Sequence, residues 1–428
     1  MFKSKNLLTV IKTVVICLSA TIVSTSVQAA ELSIVTGSEG RELQNLRASL
    51  DLFESNTDHT VKIVPLPRYT TDRFERYSLW LTAQNEEIDL YLTEATWAPQ
   101  LADHMLDLAE AATEIVEEYF PQAIASQTVD GRLVAMPLSA DAPALFYRKD
   151  LLEKHVEAVP STWSEMAETA RIIQDAERLE GNKEMVGFVF QGALGEDLTS
   201  NALEWIKSHG GGQIVESDGT ISINNTKAAA ALKVVGSWIG FISPQAVLGY
   251  SEEDARSVWQ AGNSIFFRGW SREFDLGNSG QSLIKDKFEV TTLPVGEGGI
   301  TSAATLGGTS IAVSRYTKSP DEAKELAMFL SSNEIQKQRA IALGYLPSIA
   351  SLYNNVQVTS ARPIVPRWKE MFRNVVPRPA AATRKNYDIV SQEFWTAVHE
   401  TLSFNGSAEE NVTILERRLK RLKASGWR

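Results

Sequence analysis

The sequence predicts an α/β protein of two lobes with a ligand cleft between them, and three observations carry that expectation. Strand-like and helix-like segments alternate over residues 32–92. A second group of strand-like runs follows from residue 145, and no low-complexity linker separates the two groups. Alternating elements imply a parallel sheet. Two sheets without a flexible joint imply lobes joined by crossing strands, with the ligand near the carboxyl ends of the parallel strands.

Leu32-Ser33-Ile34-Val35 is the first strand, and Gly37-Ser38-Glu39-Gly40 turns the chain. Leu43, Leu46, Leu50 and Phe53 then recur at helical spacing. Val61-Lys62-Ile63-Val64 is the next strand, stopped by Pro65 and Pro67. A helix over 71–83 and a buried strand over 88–92 complete the first group. Asp130-Gly131, between Thr128-Val129 and Leu133-Val134, signals a hairpin. Residues 145–147, 187–190, 264–267 and 290–293 read as strands, and 310–313 as another. Thr162 and Glu165 form a capping box after Pro160. A helix through 203–206 stops at Gly210-Gly211-Gly212, and Ser319-Pro320 opens a later one. Residues 388–423 read as a helical tail, with Phe394, Trp395, Val398 and Leu402 on one face and a basic end suited to a helix C-terminus. Trp205, Trp238 and Trp395 fall on apolar helix faces and are expected in the core.

Composition narrows the function. The 428 residues are 43% hydrophobic and 22% charged, with 42 Lys and Arg against 53 Asp and Glu, a formal charge of −11. That balance argues against a nucleic-acid partner, which needs basic patches to displace counterions. One cysteine allows no disulfide within the chain, and five dispersed histidines without an HExxH pair give no zinc site. Neither a phosphate-binding GxxxxGK loop nor a GxSxG nucleophile elbow is present, and the glycine triplet ends a helix rather than opening one. No cofactor or metal is expected.

Lys3, Lys5 and Lys12 precede the apolar run Val14-Val15-Ile16-Cys17-Leu18, and Ser26-Val27-Gln28-Ala29-Ala30 supplies short side chains. This is the pattern of a secretory signal peptide cut after Ala29. The run is too short and too interrupted to anchor in a membrane. Ile16 before Cys17 argues against lipidation there. The mature chain would lack cysteine and carry 39 bases against 53 acids, a formal −14.

Three acidic positions suit a polar ligand, each with a plain structural alternative. Glu39 could accept sugar hydroxyls or steady the following helix's N-terminus. Glu94 and Trp97, at the end of a strand, pair a carboxylate with an aromatic face, as carbohydrate sites do; a solvated loop with a packed Trp gives the same pattern. Asp141 could bind ligand or serve as a turn residue.

Several segments in order carry a likeness: Asp89-Leu90-Tyr91-Leu92-Thr93-Glu94-Ala95-Thr96-Trp97, Gly131-Arg132-Leu133-Val134-Ala135-Met136-Pro137 and Leu145-Phe146-Tyr147-Arg148-Lys149-Asp150-Leu151-Leu152. Asn201-Ala202-Leu203-Glu204-Trp205, Phe266-Phe267-Arg268-Gly269-Trp270, Leu306-Gly307-Gly308 and Val376-Pro377-Arg378-Pro379 continue it. Over 31–428 the chain resembles the extracellular solute-binding proteins of sugar ABC importers, family 1, and among them the trehalose/maltose-binding branch. The resemblance implies the two-lobed periplasmic binding protein fold, with an interlobe hinge and a cleft that closes on a sugar. It divides the chain into a signal peptide (1–29), an N-terminal lobe (30–138 plus 304–350) and a C-terminal lobe (139–303 plus 351–428).

The resemblance also implies ligand contacts. Glu39, Arg73 and Glu94 fall on the first lobe's wall, Asp141 near the crossover, and Gln191 in a loop facing the cleft. Trp270 matches the position that stacks on a sugar ring, Gly308 and Thr309 lie on the return crossing, and Arg378 in the C-terminal segment. Three departures stand out. Glu94 replaces the usual Asp, Thr309 a common Trp, and Leu138-Ser139 an aromatic-rich pair. Two lost platforms imply a pocket remodelled around a different or less extended ligand than a standard disaccharide, such as a glucosylglycerol-like solute or a sulfonated or otherwise decorated sugar. The expected protein is a monomeric, non-catalytic periplasmic receptor that delivers a sugar or small glycoside, either a trehalose-, maltose- or sucrose-type disaccharide or a glucosylglycerol-like or sulfonated glycoside, to permease subunits in the inner membrane. The alternative is an exported glycoside hydrolase using a carboxylate pair drawn from Glu39, Glu94 and Asp141. A surface or adhesin-like protein would lack both hinge and saturable ligand.

Overall fold

The computed structural model describes residues 29–67, 70–299 and 301–427. The expected leader lies outside them, apart from Ala29. Two sheets form the frame. The first runs Thr60–Pro65, Glu31–Thr36, Leu90–Glu94, Thr309–Val313 and Met136–Pro137 in spatial order. Its first three strands are parallel, Thr309–Val313 runs antiparallel to them, and Met136–Pro137, antiparallel to Thr309–Val313, points the same way as the first three. Leu32, Ile34 and Val35 are all buried, because elements pack on both faces.

Helices position the ends of these strands. Gly40–Asn56 buries Leu50 and Phe53. Thr70–Thr82 buries Tyr77 and Leu81, and the Tyr77 hydroxyl donates toward the carbonyls of Leu92 (2.9 Å) and Val35 (3.2 Å). Those bonds pin the helix over the carboxyl ends of two parallel strands. Arg73, one turn before Tyr77, shares that face.

Phe288–Thr291, Ala144–Arg148, Ser264–Gly269 and Val186–Val189 form the second sheet, antiparallel except for its last pair. Behind it, Trp163, Phe188, Trp205 and Trp238 pack at ring separations of 5.5–6.4 Å. The capping box of Thr162 and Glu165 opens the helix Trp163–Leu179. The hairpin at Asp130-Gly131 pairs Thr128 with Leu133 and Val129 with Arg132, both turn residues taking positive φ.

Three sequence expectations are corrected. The strand set at 88–92 occupies Leu90–Glu94, because Asp89 is held outside the ladder by the Ser33 amide and hydroxyl at 2.7 and 2.9 Å. Glu94 therefore ends a strand rather than starting a loop. The helical tail is two helices, Tyr387–Leu402 and Ala408–Lys423. Phe404 and Gly406 take positive φ between them, and Ser407 with Glu410 caps the second. Trp205 and Trp238 are in the core, whereas Trp395 is only partly buried.

Crossing segments join the sheets. Residues 138–141 run beside 307–309, with Leu138 N bonded to Thr309 O at 2.8 Å and Gly307 N to Asp141 O at 2.8 Å. Ala304–Thr305 pairs in parallel with Val375–Val376. Residues 380–386 turn back onto the short helix Trp97–Gln100.

Candidate ligand-binding site

A cavity of about 680 Å³ opens between the two sheets. Its first-sheet wall contains Gly37, Ser38, Arg73, Glu94, Gly308 and Thr309, with Ser139 and Asp141 at the crossing. Ser271, Arg272 and Phe274 face them from beyond the second sheet's strand Ser264–Gly269.

Arg73 is held from three sides. Its Nη2 donates to Glu94 at 2.7 Å, its guanidinium lies 4.8 Å from the centre of the Trp97 ring, and its stem crosses Gly37. A Cβ on Gly37 would stand 2.0 Å from Arg73 Nη1. Arg73 Nε is buried without a partner, a donor held ready. The side chain of Glu94 is 35% exposed, so water or ligand reaches it. Burial raises its pKa, and Arg73 and Arg378 counter that. Thr309 lies directly opposite Glu94 in the antiparallel register.

Asp141 accepts from the amides of Ala142 (2.8 Å) and Ser271 (3.3 Å). Burial pushes its pKa up to about 6 despite those bonds. The carboxylate at pH 7 is therefore poorly solvated and calls for further donors. Ser139 and Thr309, both standing where the resemblance expects aromatics, bond to each other through their hydroxyls at 2.9 Å. The two departures meet in one hydrogen bond.

The other expected contacts lie elsewhere. Glu39 is exposed at the start of the first helix, where its backbone carbonyl accepts from Glu42 and Leu43 and its side chain makes no capping bond. It does not line the cavity; Glu42, one turn later, does. Gln191 is fully buried beneath the second sheet, bonded to Arg268 and Asn201. Trp270 is half-buried, its ring against Gly307 and covered by the Arg268 guanidinium at 4.6 Å. Arg268 is itself fully buried in a forked pair with Glu204, at 3.0 and 2.5 Å. Arg378 donates to Glu196 at 2.7 Å, and Glu196 also accepts from Tyr387 and Ser391. Burial works against the charge on Arg378, but Tyr387, Glu196 and Asp197 leave its pKa above the ordinary value. Neither Trp270 nor Arg378 lines the cavity as it stands.

Sequence reading missed Glu252, Arg272, Asp275, Arg339, Tyr345 and Arg362, which complete the wall. Arg272, two residues past Trp270, carried a positional signal. Arg339 and Tyr345 are brought in by long-range folding and had none. Among the described residues no cluster of His, Cys, Asp or Glu is placed to hold a metal, and no helix is long and apolar enough to cross a membrane.

Residues 48–366 match the family of bacterial extracellular solute-binding proteins. A probable ABC transporter-binding protein of Deinococcus radiodurans is 40% identical over 402 residues, covering 93% of this chain and 95% of that one. The maltose-bound MalE3 of T. maritima superposes with a TM-score of 0.79 at 33% identity, over 92% of this chain and all of its own. The cyclic alpha-maltosyl-1,6-maltose binding protein of Arthrobacter globiformis shares the fold, with a TM-score of 0.78 at 19% identity over 93% and 100% of the two chains. These relatives are binding proteins rather than enzymes.

Proposed function

The chain belongs to the bacterial extracellular solute-binding proteins and is the solute-binding component of an ABC transporter, and from that premise we propose that its cargo is a sugar or small glycoside. It takes the cargo up intact in the periplasm, after loss of the leader 1–29, and presents it to the permease in the inner membrane. The lobes 30–138 plus 304–350 and 139–303 plus 351–428 close on the ligand about the crossing segments. No catalytic step is assigned.

The observation that carries this reading is the Arg73–Glu94 pair beside Asp141 in one interlobe cavity. A pyranose presents hydroxyls that both donate and accept. Arg73 Nε and the two carboxylates offer complementary partners, and ionised partners give the stronger hydrogen bonds. An analogue lacking a matched hydroxyl would leave a buried group unpaired, at about 1–3 kcal/mol each. Trp270 and Arg378 would join the contact as the lobes close, and Gly308 lets the backbone approach closely. The compact Ser139–Thr309 pair favours a small or decorated glycoside over an extended disaccharide stacked between aromatics.

The test is to identify what the receptor carries. Protein purified from cells fed mixed glycosides is unfolded in guanidinium, and the released small molecule is analysed by mass spectrometry. An intact glycoside in about one-to-one ratio is expected. Release of an amino acid or peptide, or of cleaved sugar, would overturn the reading.

A further inference from the structure

Three arginines of the cavity wall are matched to carboxylates. Arg73 pairs with Glu94 at 2.7 Å, Arg272 with Glu252 at 3.1 Å and Arg362 with Asp275 at 3.0 Å. Arg339 also lines the cavity, yet no described carboxylate forms a close ion pair with it; Glu42, on the same wall, bonds to Tyr345 and attracts Arg339 from farther away. Its contact is with the ring of Tyr345, whose centre is 5.1 Å from the guanidinium carbon. Burial works to lower its pKa, which Tyr345 and Glu42 only partly offset.

A structural task for this charge is not apparent in its surroundings. Arg339 lies on the helix Asn333–Leu343, whose carbonyl end would ordinarily welcome a cation. That end is already served by others: Arg41 donates to Ala342 O at 2.7 Å and Arg362 to Ile341 O at 3.3 Å. Arg339 is thus a partly buried guanidinium facing a cavity, without a close counter-charge among the described residues. Leaving such a cation unmatched costs stability unless something else completes it.

We infer that Arg339 and Tyr345 form an acid-binding subsite, and that the cargo is a glycoside carrying one anionic oxyacid group: a carboxylate, sulfonate, sulfate or phosphate. This rests on the glycoside-receptor reading and extends it. The guanidinium meets the acid's oxygens with paired N–H donors. The Tyr345 ring holds the guanidinium plane in place beneath it. Arg73, Glu94 and Asp141 bind the neutral hydroxyls elsewhere in the same cavity.

Matched pairs test it, using the full mature chain and calorimetry: maltose against maltobionate, trehalose against trehalose 6-phosphate, glucosylglycerol against glucosylglycerate. In at least one pair the anionic member is expected to bind about 10–100-fold more tightly, the range of a charged hydrogen bond. Arg339→Gln should abolish that preference, bringing the anionic member's affinity down to that of its neutral partner in the same variant. Equal binding of both members, or a preference that survives Arg339→Gln, would overturn the inference and leave the glycoside reading intact. Failure of every pair would sink both. A ligand-free arm guards against misfolding. Arg339→Met should raise the melting temperature by about 2 °C, because it removes an unmatched charge. A fall of several degrees would show that Arg339 is kept for packing on Tyr345, and the subsite would be withdrawn.

Discussion

Gly37 and Asp141 show how single positions set up the cavity. Gly37 leaves room for Arg73 to cross it, and the colliding atom at 2.0 Å is the far end of a flexible side chain. Gly37→Ala should therefore displace the guanidinium rather than the backbone. Affinity is expected to fall about tenfold, with melting unchanged within about 2 °C, measured by titration and thermal denaturation on the same sample. Asp141 makes a pH prediction. Its carboxyl ionises near pH 6 in the fold against 3.8 ordinarily. Between those values the native state binds the extra proton, so this group's contribution to stability falls as pH rises and is flat above about 6. Asp141→Asn should match the wild type near pH 4 and exceed it by about 2 kcal/mol at pH 7, as urea denaturation would show, while losing ligand affinity. Glu94 was legible in the sequence as a cavity position, although its strand was set two residues early. Gln191 and Glu39 were not: one turns inward to satisfy a buried arginine, the other outward at a helix start, and neither choice is written in local spacing.

Among the elements, the return crossing is the least forgiving. Gly308 takes φ +116°, and a Cβ there would lie 2.3 Å from the backbone carbonyl oxygen of Ser139. Gly308→Ala should cost about 3 kcal/mol or more, because neither backbone can yield without breaking the bonds between 138–141 and 307–309. Calorimetric melting would check it. Glu204 joins two other elements. Its carboxylate holds Arg268 behind Trp270 and accepts from the Thr305 amide at 3.3 Å on the return path. Glu204→Gln leaves the buried guanidinium without its counter-charge, and a loss of about 3–5 kcal/mol is expected in the same assay. Alternation and capping made most elements readable, as with Thr162 and Glu165. The tail misled because the apolar face of 394–402 is followed by a basic run in helical phase. The break lies in Asn405-Gly406, a turn signal that the surrounding periodicity concealed.

At the scale of the molecule, the absence of a linker correctly indicated lobes joined by crossing segments, and the order of the signature segments indicated the family. The acidic composition argued against a nucleic-acid partner without naming the cargo. What remained hidden was the half of the cavity built by 339–368, since contact between those residues and 271–276 depends on how the crossings bring the lobes together. On the proposed function, this interlobe cavity binds a glycoside and returns it unchanged. Calorimetric titration of residues 30–428 with trehalose, maltose, sucrose, glucosylglycerol and their anionic counterparts tests it, each ligand being recovered and checked for cleavage. Saturable one-to-one binding of at least one intact member is expected, weakened about tenfold or more in Trp270→Ala, whose fold should persist. Hydrolysis of the bound glycoside, or affinity indifferent to both Trp270→Ala and Gly37→Ala, would contradict it.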